Sequence, residues 1–169
     1  MDHQHLHSVS VAGVIIDDQR RALLIQRRDN GHWEAPGGVL ELDEDIETGL
    51  VREVREETGL EVRPIALTGV YKNMTRGIVA LVFRCRAVAG SLAETDESRA
   101  FLWATADEVR TLASEAFAVR IVDAMDPTQA PTVRQHDGKH LIDTTRHAAE
   151  MSHIVRVSST TAHGRSDQA

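Results

Sequence analysis

The sequence predicts a single α/β domain in which helices pack on a β-sheet. Five stretches have the apolar patterns of strands, at residues 8–16, 22–26, 63–71, 78–89 and 99–103. Two stretches have the apolar spacing of helices, at residues 46–58 and 114–125. We expect the second helix to close an α/β/α sandwich around the sheet.

The composition is that of one ordinary globular domain. The chain has 169 residues, of which 41% are hydrophobic and 27% charged, enough for one sizeable core. A net charge of −7 argues against a nucleic-acid-binding surface, which requires a basic stripe. No apolar run approaches the roughly 18 residues of a membrane span, and residues 1–7 lack the charged and apolar regions of a signal peptide.

The single cysteine indicates the compartment. Cys85 lies in the apolar run 78–85, where it is expected to be buried, and it has no second cysteine with which to form an internal disulfide. We therefore expect a cytoplasmic, reducing location.

The N-terminal strands are expected to form a hairpin. Residues 8–16 are apolar on both faces, and a polar turn at 17–20 precedes the second strand, 22–26. Arg27 and Arg28 follow directly. Two adjacent guanidinium groups there either bind phosphate oxygens or form a solvated strand end.

The helix at 46–58 has recognisable ends. Asp43 or Asp45 is a candidate N-cap, and Gly59 is suited to the left-handed conformation that commonly follows a helix. Ile46, Leu50 and Val54 recur every four residues and predict an apolar face.

The same helix has an acidic face. Glu53, Glu56 and Glu57 stand at i, i+3 and i+4, a spacing at which like charges destabilise a helix by a few tenths of a kcal/mol per pair. Hard divalent cations such as Mg²⁺ or Mn²⁺, which prefer oxygen ligands, would offset that repulsion. The alternative is a solvated face on which Arg52 and Arg55 pair with the glutamates.

The spacing of the whole stretch identifies a family. Residues 38–60 match the Nudix box, G-x5-E-x7-R-E-U-x-E-E-x-G-U with U aliphatic, at every defined position. The preceding W-E-A-P-G-G, residues 33–38, is similar to the family's W-x-x-P-G-G. The chain therefore resembles a Nudix hydrolase, and the resemblance implies an α/β/α sandwich with a mixed β-sheet over residues 8–127.

The resemblance also implies a metal site and a set of catalytic residues. Mg²⁺ or Mn²⁺ would be bound by Glu53, Glu56, Glu57 and the carbonyl of Gly38. Arg52 would orient Glu53 or its neighbours, and Glu44 would support the helix or the outer metal shell. Family members also place a glutamate in the loop 90–98 that completes the metal shell or acts as a base. Glu97 is the best match and Glu94 the second, the alternative being an acidic surface loop.

Three residues further along are candidate substrate contacts. By the same resemblance, Tyr71, Asn73 and Arg76 lie where the family's base or sugar contacts often occur, although a tyrosine at a strand end is usually a packing residue. The following strand, 78–89, alternates apolar and increasingly charged positions, which predicts a half-exposed strand.

The remaining chain predicts structure without chemistry. Thr105 and Glu108 have the spacing of a capping box, and the helix 114–125 is expected only to cover the sheet, through Phe117, Ile121 and Val122. Asp137-Gly138 is a hairpin signal, and His136 and His140 beside it are interpreted as structural residues.

The domain boundaries follow from these patterns. We expect a flexible leader at 1–7, the Nudix domain at 8–127, and an extension at 128–157 packed on the domain or on a dimer partner. The extension would contain the hairpin and a weakly helical stretch at 144–157, and 158–169 would be a disordered tail.

The resemblance implies hydrolysis of the diphosphate linkage of a nucleoside diphosphate linked to another group, X. Thr75 and Arg76 occupy the region where ADP-ribose hydrolases often carry a proline. A dNTP, intact or oxidised, is therefore the default substrate, with ADP-ribose or a nucleotide sugar as the alternative. A non-catalytic nucleotide-sensing module is the competing hypothesis from another class. The expected partner is a small nucleotide, with no nucleic acid or membrane, and a homodimer is plausible.

Overall fold

The computed structural model describes residues 6–143. The expected helix at 144–157, the tail at 158–169 and residues 1–5 of the leader lie outside the described residues. The strands are β1 (Ser8–Ile15), β2 (Ala22–Arg27), β3 (Trp33–Glu34), β4 (Gly37–Val39), β5 (Leu60–Asn73), β6 (Ile78–Gly90), β7 (Ser98–Ala104), β8 (Thr132–His136) and β9 (Leu141–Ile142). The helices are α1 (Ile46–Thr58), α2 (Ala106–Leu112) and α3 (Glu115–Met125).

The strands form two sheets, and the larger one is mixed. Its order is β4-β1-β6-β5-β8-β9, and the smaller sheet has the order β3-β2-β7. The pairs β1–β6 and β5–β8 are parallel, whereas the other pairs in the large sheet are antiparallel. The predicted α/β class with a mixed sheet is confirmed.

Two apolar clusters hold the layers together. One contains Leu50 and Val54 of α1 with Val11 and Ile15 of β1. The other contains Ile121 of α3 and residues on the opposite faces of the same strands, such as Val14 and Val82. Cys85 is buried in the first cluster, as expected.

The expected hairpin of β1 and β2 is wrong. The two strands belong to different sheets. An isolated antiparallel bridge pairs Ile16, just after β1, with Ala22, the first residue of β2. The neighbours of β1 are instead β6 and β4. Long-range pairing prevailed because β1 is apolar on both faces and is buried in the middle of the large sheet.

The ends of α1 agree with the local chemistry. Asp45 is the N-cap and accepts the Thr48 N–H at 2.9 Å, and Gly59 adopts φ 78° after the last turn. The predicted apolar face is correct for Leu50 and Val54, which are fully buried, but wrong for Ile46, which is 43% exposed in the first turn.

The prediction of a half-exposed β6 is also wrong for the middle of the strand. Ala80 and Val82 are buried against the α3 side, and Cys85 is buried against the α1 side. Only the end that begins at Arg86 becomes exposed. Residues of α3 pack on one face of this strand and residues of α1 pack on the other, so both faces are covered.

The segment after α3 completes the large sheet. β8 runs parallel to β5, and β9 returns antiparallel across the Asp137-Gly138 turn. Asp123 of α3 accepts hydrogen bonds from the Tyr71 hydroxyl at 2.7 Å and from Arg134 of β8 at 2.8 and 3.0 Å. This buried network fastens β8 to the core. Within residues 6–143, no helix has the length and apolar content needed to span a bilayer.

Candidate active site

Arg52 pairs with three carboxylates, two on the acidic face of α1 and one in the loop before it. Its guanidinium donates to Glu44 at 2.6 and 3.0 Å, to Glu53 at 2.9 Å and to Glu56 at 3.1 Å. The hydrogen bond from Arg52 holds the pKa of Glu44 below its usual value. One arginine therefore fixes the direction of the predicted ligands Glu53 and Glu56 and offsets part of their repulsion.

Glu57 is the most buried of the predicted ligands. The residue is only 1% exposed, and its Oε2 accepts a hydrogen bond from the N–H of Gly37 at 2.7 Å. Burial raises the pKa of Glu57 to about 8, and the negative charges of Glu97, Glu34 and Glu53 add to the effect. Burial and the three nearby carboxyls both disfavour the charged form of Glu57, and a positive charge beside it would stabilise that form.

Glu53 lies against the strand that carries the glycines. A Cβ on Gly38 would collide with the Glu53 carboxylate, so any side chain at this position would displace that carboxylate. Burial raises the pKa of Glu53, and the charges of Glu56 and Glu97 raise it further, while Arg52 opposes the shift. The pairing of β4 with β1, Val11 opposite Gly38, sets the position of this glycine.

Glu97 stands on the loop before β7 and is exposed. Its charge acts on both Glu53 and Glu57, so the loop brings it close to the acidic face. Arg28 supports the loop: its N–H donates to the Glu97 carbonyl at 2.8 Å, and its guanidinium donates to Thr95 and to Glu94. Glu94 is paired with Arg28 and directed to solvent.

These oxygen donors suit a hard divalent cation. Carboxylates and a backbone carbonyl are the ligands that Mg²⁺ and Mn²⁺ prefer, and the mutual repulsion at Glu57 favours a cation. Over residues 6–143, no three acidic, imidazole or thiol side chains are already gathered as a metal cage. Arg52 and the Gly37 N–H hold the carboxylates instead.

A pocket of about 820 Å³ opens beside this cluster. It runs from the glycines of β4 to α3 and to the turn between β8 and β9. The lining residues are Ser10, Val11, Ala12, Arg27, Asp29, Asn30, His32, Glu34, Ala35, Gly37, Gly38, Val39, Asn73, Thr75, Arg76, Ile78, Val82, Phe117, Arg120, Ile121, Asp137, Gly138 and Lys139. Its size suits a nucleotide-sized ligand.

The predicted substrate residues divide into two groups. Arg27, Asn73 and Arg76 line the pocket. Arg27 donates to Asp29 and to Glu34, and Asn73 caps the following turn by accepting the N–H groups of Thr75 and Arg76.

The structure does not bring Arg28 and Tyr71 to the pocket. Arg28 is committed to the 94–97 loop. Tyr71 is fully buried with its hydroxyl on Asp123, and both burial and the Asp123 charge raise its pKa. The packing alternative therefore describes Tyr71 better than substrate contact does.

Sequence reasoning missed four residues of the pocket wall. Glu34 stands inside the W-E-A-P-G-G stretch, and burial raises its pKa although Arg27 opposes the shift. Phe117 and Arg120 come from α3, from which no chemistry was expected, and Lys139 comes from the β8–β9 turn. A signal was present only for Glu34, as a carboxylate beside the glycine loop.

Comparisons with known proteins agree with this geometry. The family model described as NUDIX domain matches residues 6–125. A relative from Streptomyces ambofaciens, named MutT-like protein, is 59% identical over 137 residues, which cover 81% of this chain and 88% of the relative. A relative from Methanocaldococcus jannaschii, named ADP-ribose pyrophosphatase, is 33% identical over 102 residues, 56% of this chain and 60% of the relative.

A solved structure shows the same fold. An ADP-ribose pyrophosphatase from Streptococcus suis superposes with a TM-score of 0.67 over 76% of this chain and 99% of its own, at 19% identity. The family match covers most of the chain and includes the acidic helix and the glycine strand described above. The chain belongs to the Nudix hydrolase family and is a pyrophosphohydrolase that acts on nucleotide-linked substrates.

Proposed function

We propose that this chain uses Mg²⁺ or Mn²⁺ to hydrolyse the diphosphate linkage of a nucleoside diphosphate joined to a second group. The observation that carries the proposal is the arrangement of Glu53 and Glu57 directly behind Gly37 and Gly38, which form one wall of the pocket. A diphosphate at that wall would lie beside the carboxylate cluster. The rest of the substrate would extend into the pocket.

Four groups are proposed to bind the cation: the carboxylates of Glu53, Glu56 and Glu57 and the carbonyl of Gly38. When bound, a divalent cation supplies the positive charge that neutralises the diphosphate and acidifies a water molecule. Arg52 orients Glu53 and Glu56 through its hydrogen bonds, and the Gly37 N–H orients Glu57.

The proposed reaction adds water to one phosphorus and breaks the bridging P–O bond, releasing two phosphorylated products. The proton of the attacking water passes to a carboxylate, for which we propose Glu97 or a glutamate of the box. Glu97 is accessible on the surface and acts electrostatically on both buried glutamates. We propose that Arg27, which lines the pocket, exchanges a contact with Asp29 or Glu34 for a phosphate oxygen of the substrate.

The proposed substrate is a dNTP, intact or oxidised. A relative from Proteus vulgaris named 8-oxo-dGTP diphosphatase, 41% identical over 71 residues, supports this class, and Thr75 and Arg76 stand where ADP-ribose hydrolases often have a proline. ADP-ribose or a nucleotide sugar is the second candidate, which the relative named ADP-ribose pyrophosphatase supports.

A panel assay tests the reaction and the substrate class together. Product formation is measured with Mg²⁺ by chromatographic separation of the nucleotides, on dNTPs, 8-oxo-dGTP, ADP-ribose, NADH, nucleotide sugars and dinucleoside polyphosphates. We expect turnover of dNTPs to exceed that of ADP-ribose. Faster turnover of ADP-ribose would replace the default by the alternative, and no turnover of any compound would overturn the proposed reaction.

We also propose a cytoplasmic homodimer. Cys85 is buried and has no disulfide partner, and Val133 and Ile142 expose apolar surface on the β8–β9 edge of the sheet. Sizing with light scattering should give twice the 18.7 kDa mass of the chain. A mass of one chain would contradict the dimer.

A further inference from the structure

Arg120 is an unusually placed cation. It projects from α3 and lines the pocket, and its guanidinium carbon lies over two aromatic rings, 5.5 Å from the centroid of Tyr71 and 4.8 Å from that of Phe117. Burial lowers the pKa of Arg120, while the charge of Glu34 opposes the shift. The two rings hold the guanidinium plane in one orientation.

The hydrogen bonding of Arg120 is incomplete. Its Nε is buried and has no hydrogen-bond partner among residues 6–143. Its Nη2 lies 2.6 Å from Nε2 of His136, a neutral acceptor where buried arginines commonly have a carboxylate. A guanidinium has five N–H donors, and because Nε is closed to solvent, the terminal nitrogens are the ones that can donate to a ligand in the pocket.

His136 is itself an imperfect partner. Its Nδ1 accepts the N–H of Gly138 at 3.1 Å, while Nε2 faces Arg120. A neutral imidazole carries a proton on one of its two nitrogens, so it cannot accept a full hydrogen bond at both. Burial and the charge of Arg120 also lower the pKa of His136, to about 4, which disfavours the imidazolium. Every tautomer therefore leaves one of the two contacts weak.

The pocket gives Arg120 a place in recognition. Gly37 and Gly38 form the wall beside the carboxylates, whereas Phe117, Arg120 and Lys139 belong to α3 and the β8–β9 turn. A substrate whose diphosphate lies at the glycines would direct its other part toward this second wall. Phe117 presents an aromatic ring there, and Arg120 presents paired donors.

We propose that Arg120 is a specificity-determining residue that donates hydrogen bonds to the acceptor edge of a 6-oxopurine base. The inference rests on the proposed function. The paired donors of a guanidinium match O6 and N7, the two acceptors on one edge of such a base. Arginine has no acceptor, so it cannot accept a hydrogen bond from the amino group of a 6-aminopurine.

The test compares two substrates that differ at this edge, dITP and dATP, with Mg²⁺. The wild-type protein is expected to have a kcat/KM for dITP about 10- to 100-fold above that for dATP. Arg120→Met should bring the ratio close to one by lowering kcat/KM for dITP, and Arg120→Lys should restore only part of it, because lysine lacks the planar fork.

Arg110→Met is the matched control. It removes a guanidinium from an exposed residue of α2 that does not line the pocket, and it is expected to leave the dITP to dATP ratio unchanged. A wild-type ratio near one, or equal losses for both substrates in Arg120→Lys, would overturn the inference. The wild-type ratio and Arg120→Lys decide the question even if Arg120→Met does not fold. Turnover of neither nucleotide would contradict the proposed function instead.

Discussion

Gly38 lies against the carboxylate of Glu53 so closely that a Cβ on Gly38 would approach Oε1 to 2.6 Å and Oε2 more closely still. The backbone of Gly38 does not adopt a positive φ, so the constraint is space at the carboxylate and not backbone conformation. The glycine of the strand and the glutamate of the helix are therefore a matched pair. Their contact explains in physical terms why the box begins with a residue that has no side chain.

Gly38→Ala should lower activity more than stability. The added methyl group displaces the Glu53 carboxylate, and a displacement near 1 Å can reduce turnover by about 10²-fold. Steady-state kinetics and thermal unfolding with a chelator measure the two effects. Leu42→Ala, on a fully exposed residue of the loop that follows the strand, is the control and should retain activity. Full turnover by a folded Gly38→Ala would show that the position of Glu53 is unimportant.

Mg²⁺ should stabilise the wild-type protein against heat through Glu57. A ligand at 100 times its Kd stabilises the folded state by about 2.7 kcal/mol. The Tm is measured without Mg²⁺ and with Mg²⁺ at about 100 times its Kd. We expect the Tm to rise in the wild type but to change little in Glu57→Gln, which lacks the carboxylate that would bind the cation. An equal rise in both proteins would place the cation elsewhere.

The contact between Arg134 and Asp123 should contribute to stability more than a surface pair does. Arg134→Gln leaves Asp123 buried without its charged donors and is expected to cost about 1–3 kcal/mol. Arg110→Gln removes an exposed pair with Asp107 and should cost less than about 0.5 kcal/mol. Urea unfolding of both variants compares them. Equal small losses would contradict the role of Asp123 in fastening β8.

His136 should make the protein sensitive to acid. Its pKa falls from the usual 6.5 to about 4 in the folded state, mainly through burial. Between these pH values the unfolded chain binds more protons than the folded one, so the free energy of unfolding falls as the pH falls from 6.5 to 4. His136→Gln should flatten this part of the pH dependence in chemical denaturation. An unchanged slope in the variant would mean that His136 is not the responsible group.

Local patterns predicted α1 and its caps well. The spacing of Leu50 and Val54, the N-cap Asp45 and the left-handed Gly59 depend on neighbours within a few residues. The acidic face and its partner Arg52 lie on the same helix, so their contacts could be predicted from the sequence spacing. These features need no knowledge of the remaining fold.

Features that depend on distant partners could not be read in the same way. β1 and β2 have an ordinary hairpin pattern, yet β1 pairs with β6. Paired residues of these two strands, such as Val11 and Leu81, are about seventy residues apart in the sequence. Arg120 looks like any polar position on an amphipathic helix until β5 and β8 bring Tyr71 and His136 to it. The sequence pattern predicts Tyr71 at the end of a strand, but β8 and α3 cover it completely.

The most direct test of the proposed reaction is ³¹P NMR of dNTP hydrolysis in ¹⁸O-labelled water with Mg²⁺, for the wild type, Glu57→Gln and the control Glu47→Gln. Glu47 is an exposed glutamate in the first turn of the same helix. We expect one ¹⁸O atom in one product, a loss of about 10²-fold or more in Glu57→Gln, and normal turnover in Glu47→Gln. Full turnover by a folded Glu57→Gln would contradict the assignment of this carboxylate cluster as the active site.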